Sequence, residues 1–352
     1  AAVVAAAAAV AALPGAHAVE YTFSVNNLPP PSGLTTNARF GAAIAGDAHL
    51  IAVGAPGHNR EGGVAVYNCQ DNGLSCSLIS FLTPPANLTG LIGVGVAPVG
   101  WWSGNDTYGE FGAAVAVRNR TILVGAPNYQ LAFAYTCNVE LTECGCVLQE
   151  GQTLARCILR WPDVPGVNKR LGAAVAMGYA DAIVGVPQHS DYEDEPPAGA
   201  VYVYNCSRPD ADENCPYYEQ LVPVGGLPSS YDEFGAAISY GHGGFVSVGA
   251  PGVTSNTGAV YVYSCGDGSC TNEDSYKLEA PAGLAAGARF GAAVDTEANV
   301  VAVGAPGAGT VYRYLCTESG EEGVPPTCKT AGVIAHQGST GNGFGSAVAV
   351  GP

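Results

Sequence analysis

Twelve cysteines are the side chains of this 352-residue chain best placed to form bonds, and their spacing narrows which bonds those are. A zinc site wants closely paired Cys ligands converging from two places, often with His. Only Cys265 and Cys270 approach such a spacing, and no His lies near them. A redox pair at Cys144 and Cys146 would need a basic residue or a helix start to lower a thiol pKa, and the sequence offers neither there. What remains is a disulfide framework, which places the chain in an oxidising, secretory setting. The six histidines, His17, His49, His58, His189, His242 and His336, are scattered. No H-E-x-x-H, G-x-S-x-G or phosphate-cradling glycine loop accompanies them, so the expectation is that the chain is not an enzyme and has no catalytic set.

Two stretches carry recognition chemistry. Asp191, Glu193, Asp194 and Glu195 form an acidic run that suits a cation or a basic partner, with a solvated polar loop as the plain alternative. Trp101 and Trp102 suit contact with a protein or glycan, or equally the covering of a neighbouring sheet. Four Asn-x-Ser/Thr sequons, at Asn87, Asn105, Asn119 and Asn205, are glycosylation candidates expected on exposed turns. Thirty acidic against 13 basic side chains give a net charge of −17, which repels nucleic acid and anionic lipid. That acidity either draws cations and basic proteins or serves solubility alone.

The elements that must position these residues come from a repeat. Its opening runs Phe40-Gly41-Ala42-Ala43, Phe111-Gly112-Ala113-Ala114, Leu171-Gly172-Ala173-Ala174, Phe234-Gly235-Ala236-Ala237, Phe290-Gly291-Ala292-Ala293 and Phe344-Gly345-Ser346-Ala347. Successive openings lie 71, 60, 63, 56 and 54 residues apart, room for four short strands per unit. An apolar run then ends in Gly54-Ala55-Pro56, Gly125-Ala126-Pro127, Gly185-Val186-Pro187, Gly249-Ala250-Pro251 or Gly304-Ala305-Pro306. An alternating strand such as Val201-Tyr202-Val203-Tyr204 follows, and a weaker fourth strand closes the unit. A single sheet of this kind cannot bury both faces, so several must stack radially as the blades of an all-β propeller. Small residues then serve the crowded innermost strand, and Phe packs between blades.

These landmarks resemble FG-GAP repeats, the units of the integrin α-subunit head and of related bacterial, protist and algal surface proteins. The resemblance runs over about residues 20–351 and implies the propeller fold more specifically than any function. In the integrin head several turns between the first two strands carry calcium loops. Here those turns read Ala45-Gly46-Asp47-Ala48, Arg118-Asn119-Arg120-Thr121, Gly178-Tyr179-Ala180-Asp181, Tyr240-Gly241-His242-Gly243 and Asp295-Thr296-Glu297-Ala298. None supplies enough oxygen ligands, so calcium is not carried over and no cofactor is expected.

A Cys ends the third strand of each unit and another precedes the fourth. Hairpin bridges Cys69–Cys76, Cys206–Cys215, Cys265–Cys270 and Cys316–Cys328 follow, with three pairings open among Cys137, Cys144, Cys146 and Cys157. Residues 1–18 read either as a signal peptide cleaved after Ala18 or as an apolar strand-forming extension, with 19–352 as one propeller domain. A fourth-strand-like stretch at Tyr21–Pro29 and a first strand at Phe344–Val350 imply a unit split between the ends. Six blades result if 1–18 complete that unit, and seven are equally plausible if the chain continues. No other apolar run is long enough to span a bilayer. The expected role is adhesion or recognition outside the cell, secreted or at the surface, with an extracellular protein or glycan as partner at the loop face. A subunit self-assembling into a filament or wall layer through the apolar N-terminus, and an accessory propeller of a larger enzyme, are the alternatives.

Overall fold

Val, Ile, Tyr and Ala alternate in short runs between Gly- and Pro-bearing turns, and these runs fold as strands. The computed structural model describes residues 2–3, 27–70, 75–85, 109–146, 157–159, 170–190, 196–207, 215–226, 228–265, 270, 272, 275–317, 326–336 and 343–351. Strand β1 (Ala2–Val3) pairs antiparallel with β2 (Asn27–Leu28). Five antiparallel sheets of four strand positions each then follow in chain order.

Sheet one holds β3 (Ile44–Asp47), β4 (Leu50–Gly54), β5 (Val64–Gln70) and β6 (Ser75–Leu82). Sheet two holds β7 (Ala114–Arg118), β8 (Thr121–Ala126) and β9 (Leu131–Cys137), and two short pieces, β10 (Cys144–Gly145) and β11 (Ile158–Leu159), both pair with β9. Sheet three holds β12 (Ala174–Met177), β13 (Asp181–Val186), β14 (Ala200–Asn205) and β15 (Tyr217–Leu221). Sheet four holds β16 (Ala237–Tyr240), β17 (Phe245–Ala250), β18 (Ala259–Ser264) and β19 (Ser275–Glu279). Sheet five holds β20 (Ala293–Glu297), β21 (Val300–Ala305), β22 (Thr310–Thr317) and β23 (Thr327–Ala335). The chain is all-β and its repeated sheets are consistent with a propeller-like fold. No helix among the described residues is long and apolar enough to cross a membrane.

Second strands are buried along nearly their whole length because another sheet covers each face, as their unbroken apolar runs require. What lets the sheets approach is a glycine pair. The Gly ending the apolar run of one unit lies against the Gly after Phe in the next: Gly54 on Gly112, Gly125 on Gly172, Gly185 on Gly235, Gly249 on Gly291 and Gly304 on Gly345. A Cβ on the first member would overlap the carbonyl oxygen of the second. The second member is left-handed, with φ between 86° and 90° at Gly112, Gly172, Gly235, Gly291 and Gly345.

The residue before that glycine fills the seam. Phe111, Phe234 and Phe290 are fully buried, and their backbones form parallel bridges to Gly62, Gly199 and Gly258 of the preceding unit. Their rings meet Phe133, Tyr261 and Tyr312 edge-on at 5.3, 5.4 and 5.6 Å. Burying each ring contributes roughly 2–3 kcal/mol. Leu171 takes the same buried place in the third unit. Tyrosines on the third strands add a polar stitch: Tyr135 Oη donates to the Thr83 carbonyl after β6, and Tyr263 Oη to the Val222 carbonyl after β15. Tyr67 Oη donates in the same way to Pro29, just after β2.

Disulfides close the outer hairpins. Register places Cys69 opposite Cys76, Cys137 opposite Cys144 and Cys316 opposite Cys328, and each pair is bonded. Cys206–Cys215 and Cys265–Cys270 are bonded likewise. The choice left open in the second unit resolves as Cys137–Cys144 and Cys146–Cys157, the latter linking the two pieces of the interrupted fourth strand.

One buried carboxylate sits at a seam. Asp181 opens β13 with no exposed surface; its Oδ2 accepts the Cys270 N–H at 3.3 Å, while Oδ1 has no partner among the described residues. Desolvation pushes its pKa up to about 6, against the small opposing effect of that hydrogen bond.

Two predictions follow from the seams. Gly125→Ala should cost about 3 kcal/mol or more, because two backbones must part, whereas Gly145→Ala, with open space around the added carbon, should stay within about 0.5 kcal/mol. Urea unfolding checks both, and equal losses would contradict the glycine-pair account. For Asp181, the folded chain holds a proton between about pH 4 and 6 that the unfolded chain has released. Stability is therefore greatest below that window, falls as pH rises through it and stays lowered above it. Asp181→Asn should remove about 3 kcal/mol of this decline, so its melting temperature exceeds the parent's at pH 7 and approaches it at pH 4.

Candidate functional site

The five first strands, β3, β7, β12, β16 and β20, lie side by side in order and, with residues 348–350, enclose one cavity of about 450 Å³. Small side chains are what such convergence admits, and Ala45, Gly46, Ala116 and Ala176 line its wall. At one end the repeat stops being uniform. Seven or eight residues after each Phe or Leu landmark stand Asp47, Arg118, Tyr179, His242 and Glu297, one from each sheet.

Backbone geometry brings these five together. Hairpin turns after β3, β7 and β20 put Ala48, Asn119 and Ala298 in the left-handed region, so Asp47, Arg118 and Glu297 end their strands at the rim. Gly241 and Gly243 let the turn carrying His242 lie directly on the backbone of Thr296 and Ala298. His242 Nδ1 then stands 2.8 Å from Glu297 Oε2, and its Nε2 stands 3.9 Å from Asp47 Oδ1 across the rim. Asp47 Oδ2 also accepts the Asn119 N–H at 2.5 Å. The Arg118 guanidinium lies 4.1 Å over the ring of Tyr179, which is 72% exposed and meets His242 edge-on at 6.4 Å.

Below the rim, Asp295 Oδ1 accepts from Ser239 Oγ at 2.7 Å and Oδ2 from the Val350 N–H at 2.6 Å. Ser239 Oγ in turn accepts the Thr296 N–H at 3.0 Å, and Ser247 and Thr296 share a buried hydroxyl contact at 2.5 Å. Burial raises the Asp295 pKa although those hydrogen bonds oppose it. Tyr240 is pushed up to about 12, by burial first and by the Asp181 charge second, with Arg118 acting the other way. Chemically the rim offers acceptors, a guanidinium, an imidazole and an aromatic face, a set suited to binding a polar ligand. Among the described residues no group of three or more His, Cys, Asp or Glu is arranged to hold a metal ion.

At the opposite ends of the same strands, the residues preceding each landmark alternate in charge: Arg39, Glu110, Arg170, Glu233 and Arg289. All five are left-handed, with φ of 55–57°. Glu110 pairs with Arg39 at 3.5 Å and with Arg170 at 3.4 Å, and Glu233 pairs with Arg289 at 2.7 Å. Partly exposed pairs like these contribute little stability, about 0–1 kcal/mol each.

Neither end was singled out by sequence reasoning, which dismissed the rim turns once they failed as calcium loops. The offset from the landmark was the available signal. Trp101, Trp102, Asp191, Glu193, Asp194, Glu195, Asn87 and Asn105 lie outside the described residues. Asn119 is exposed in the turn beside Asp47. Asn205 corrects the expectation of an exposed turn: it ends β14, is 8% exposed, and its Oδ1 accepts from Ser207 N and Oγ. A glycan there would have to displace packed sheet.

No protein-family model matches the chain, and no curated protein matches it. Among solved structures it is similar to one described as a "putative 6-phosphogluconolactonase" from Bacteroides uniformis ATCC 8492, with 9% identity, a TM-score of 0.49, and 86% of this chain and 74% of the other covered. A second, with the same description, from Bacteroides fragilis NCTC 9343, shows 10% identity, a TM-score of 0.49, and 86% and 75% coverage. The expectation that the chain is not an enzyme is thereby corrected, since the structures it is similar to include ones described as enzymes and a missing motif excludes nothing. A likeness this distant brings neither that activity nor a catalytic site to this chain.

Proposed function

We propose that this chain is a secreted or cell-surface recognition protein on an FG-GAP-type propeller, holding its ligand at the rim formed by Asp47, Arg118, Tyr179, His242 and Glu297. The observation that carries the reading is the contrast within the repeat. Strand positions that pack are nearly the same in every unit, whereas the five rim positions differ from one unit to the next and converge. Convergent, non-equivalent polar groups over a preformed cavity are what selective binding uses. Six disulfides support an oxidising, extracellular setting.

A six-bladed ring is part of the proposal. Gly345 takes the second-glycine place against Gly304 and residues 348–350 line the cavity beside the first strands, which supports reading segment 344–350 as the sixth first-strand position. Pro29 receives Tyr67 as Thr83 receives Tyr135, which supports reading β2 as belonging to a sixth fourth strand. An extracellular protein or glycan is the partner class.

The test is binding of the fluorescently labelled chain to arrays of extracellular glycans and peptides. Saturable binding should fall about tenfold or more in Tyr179→Ala/His242→Ala and persist in Tyr231→Ala, which alters an exposed aromatic in the loop before Phe234. Binding that survives the rim variant but is lost with Tyr231 would sink the reading.

A further inference from the structure

Arg118 is the group at the rim whose chemistry is incomplete. Its residue is 6% exposed, and Nε and Nη2 have no hydrogen-bond partner among the described residues. Those two nitrogens form one edge of the guanidinium, and that edge is the fork that matches the two oxygens of a carboxylate. Arg118 lines both the central cavity and a second hollow of about 470 Å³ beside it, shared with Asp47, Asn119, Tyr179 and His242. The Tyr179 ring lies 4.1 Å from the guanidinium carbon, and neither nitrogen of the fork is used in a hydrogen bond among the described residues.

The neighbouring charges decide which carboxylates fit. Asp47 and Glu297 line the same cavity, Asp295 lies beneath, and the whole chain carries a net charge of −17. A simple anion would meet the fork but also this negative field. A ligand carrying an ammonium group beside its carboxylate satisfies both, because the cation can face Asp47 and Glu297 while the anion takes the fork. The cavity is of small-molecule size. We propose that the rim binds a small zwitterion, an α- or ω-amino acid or a short peptide, with its carboxylate on the Arg118 fork and its ammonium toward Asp47 and Glu297.

The inference rests on the rim being a recognition site and narrows its ligand. Calorimetric titration with glycine, γ-aminobutyrate and triglycine, against acetate and methylammonium, tests it. At least one zwitterion should bind about tenfold more tightly than either half-ligand. Arg118→Lys keeps the charge and loses the fork, and should weaken zwitterion binding about tenfold or more. Asp47→Asn/Glu297→Gln leaves Arg118 in place and should weaken the zwitterion while strengthening acetate. Triglycine binding alone would assign the site to a short zwitterionic peptide, and glycine or γ-aminobutyrate binding would assign it to a free amino acid. Acetate binding as tightly as every zwitterion, or no response to either variant, would overturn the inference. Array ligands that bind at the rim while no zwitterion does would overturn it too, and leave the recognition reading standing. Fork-dependent zwitterion binding with silent arrays would uphold it and remove the protein-or-glycan partner.

Discussion

At every seam two glycine backbones lie directly against each other, and the rest of the architecture depends on that approach. At each seam the glycine ending one unit's apolar run touches the left-handed glycine opening the next. Two side-chain-free positions allow carbonyl and Cα to meet where an added Cβ would overlap. That contact sets the separation of neighbouring sheets. Once the separation is set, the residue before the second glycine has a slot of one size, and Phe111, Leu171, Phe234 and Phe290 fill it completely. The landmark Phe-Gly and the landmark Gly-Ala-Pro are thus two halves of one interface, carried by successive units.

A constraint repeated at every seam leaves little freedom in the strands and concentrates variation at their ends. Along the first strands small residues such as Ala45, Gly46, Ala116 and Ala176 recur where five strands converge. Beyond the last constrained position each unit carries a different group, and convergence makes neighbours of residues far apart in the chain. His242 and Asp47 belong to the fourth and first units yet face each other across the rim. The alternating Arg39, Glu110, Arg170, Glu233 and Arg289 at the other end follow the same logic, since neighbouring units place like positions side by side and opposite charge relieves the repulsion.

This also explains what could be read from sequence. The repeat, the strand order within a unit and four hairpin disulfides are local, and spacing alone reports them. The pairing among Cys137, Cys144, Cys146 and Cys157 was not legible, because it depends on an interruption that splits the fourth strand into β10 and β11. The rim was not legible either: no linear motif joins Asp47, Arg118, Tyr179, His242 and Glu297, and only radial stacking does so. Asn205 misled because a sequon records three residues, whereas its burial is set by packing at the end of β14.

Among the described residues Asp181 and Arg118 both leave buried polar atoms without partners, and they influence Tyr240 from opposite sides. Asp181 leaves an oxygen unpaired at the seam of sheets three and four, and Arg118 leaves a fork unpaired at the cavity. Each such group costs about 1–3 kcal/mol, more when charged. A sheet stapled by hairpin disulfides and locked by glycine seams can carry that cost without yielding. The two differ in what could relieve them. Asp181 faces packed backbone and is relieved by a proton, which is why its pKa rises. Arg118 cannot shed its proton, lines the central cavity and already has the Tyr179 ring 4.1 Å from its guanidinium carbon. For a guanidinium so placed, relief has to come from an acceptor that enters the cavity, and that makes Arg118 the residue on which binding at the rim turns.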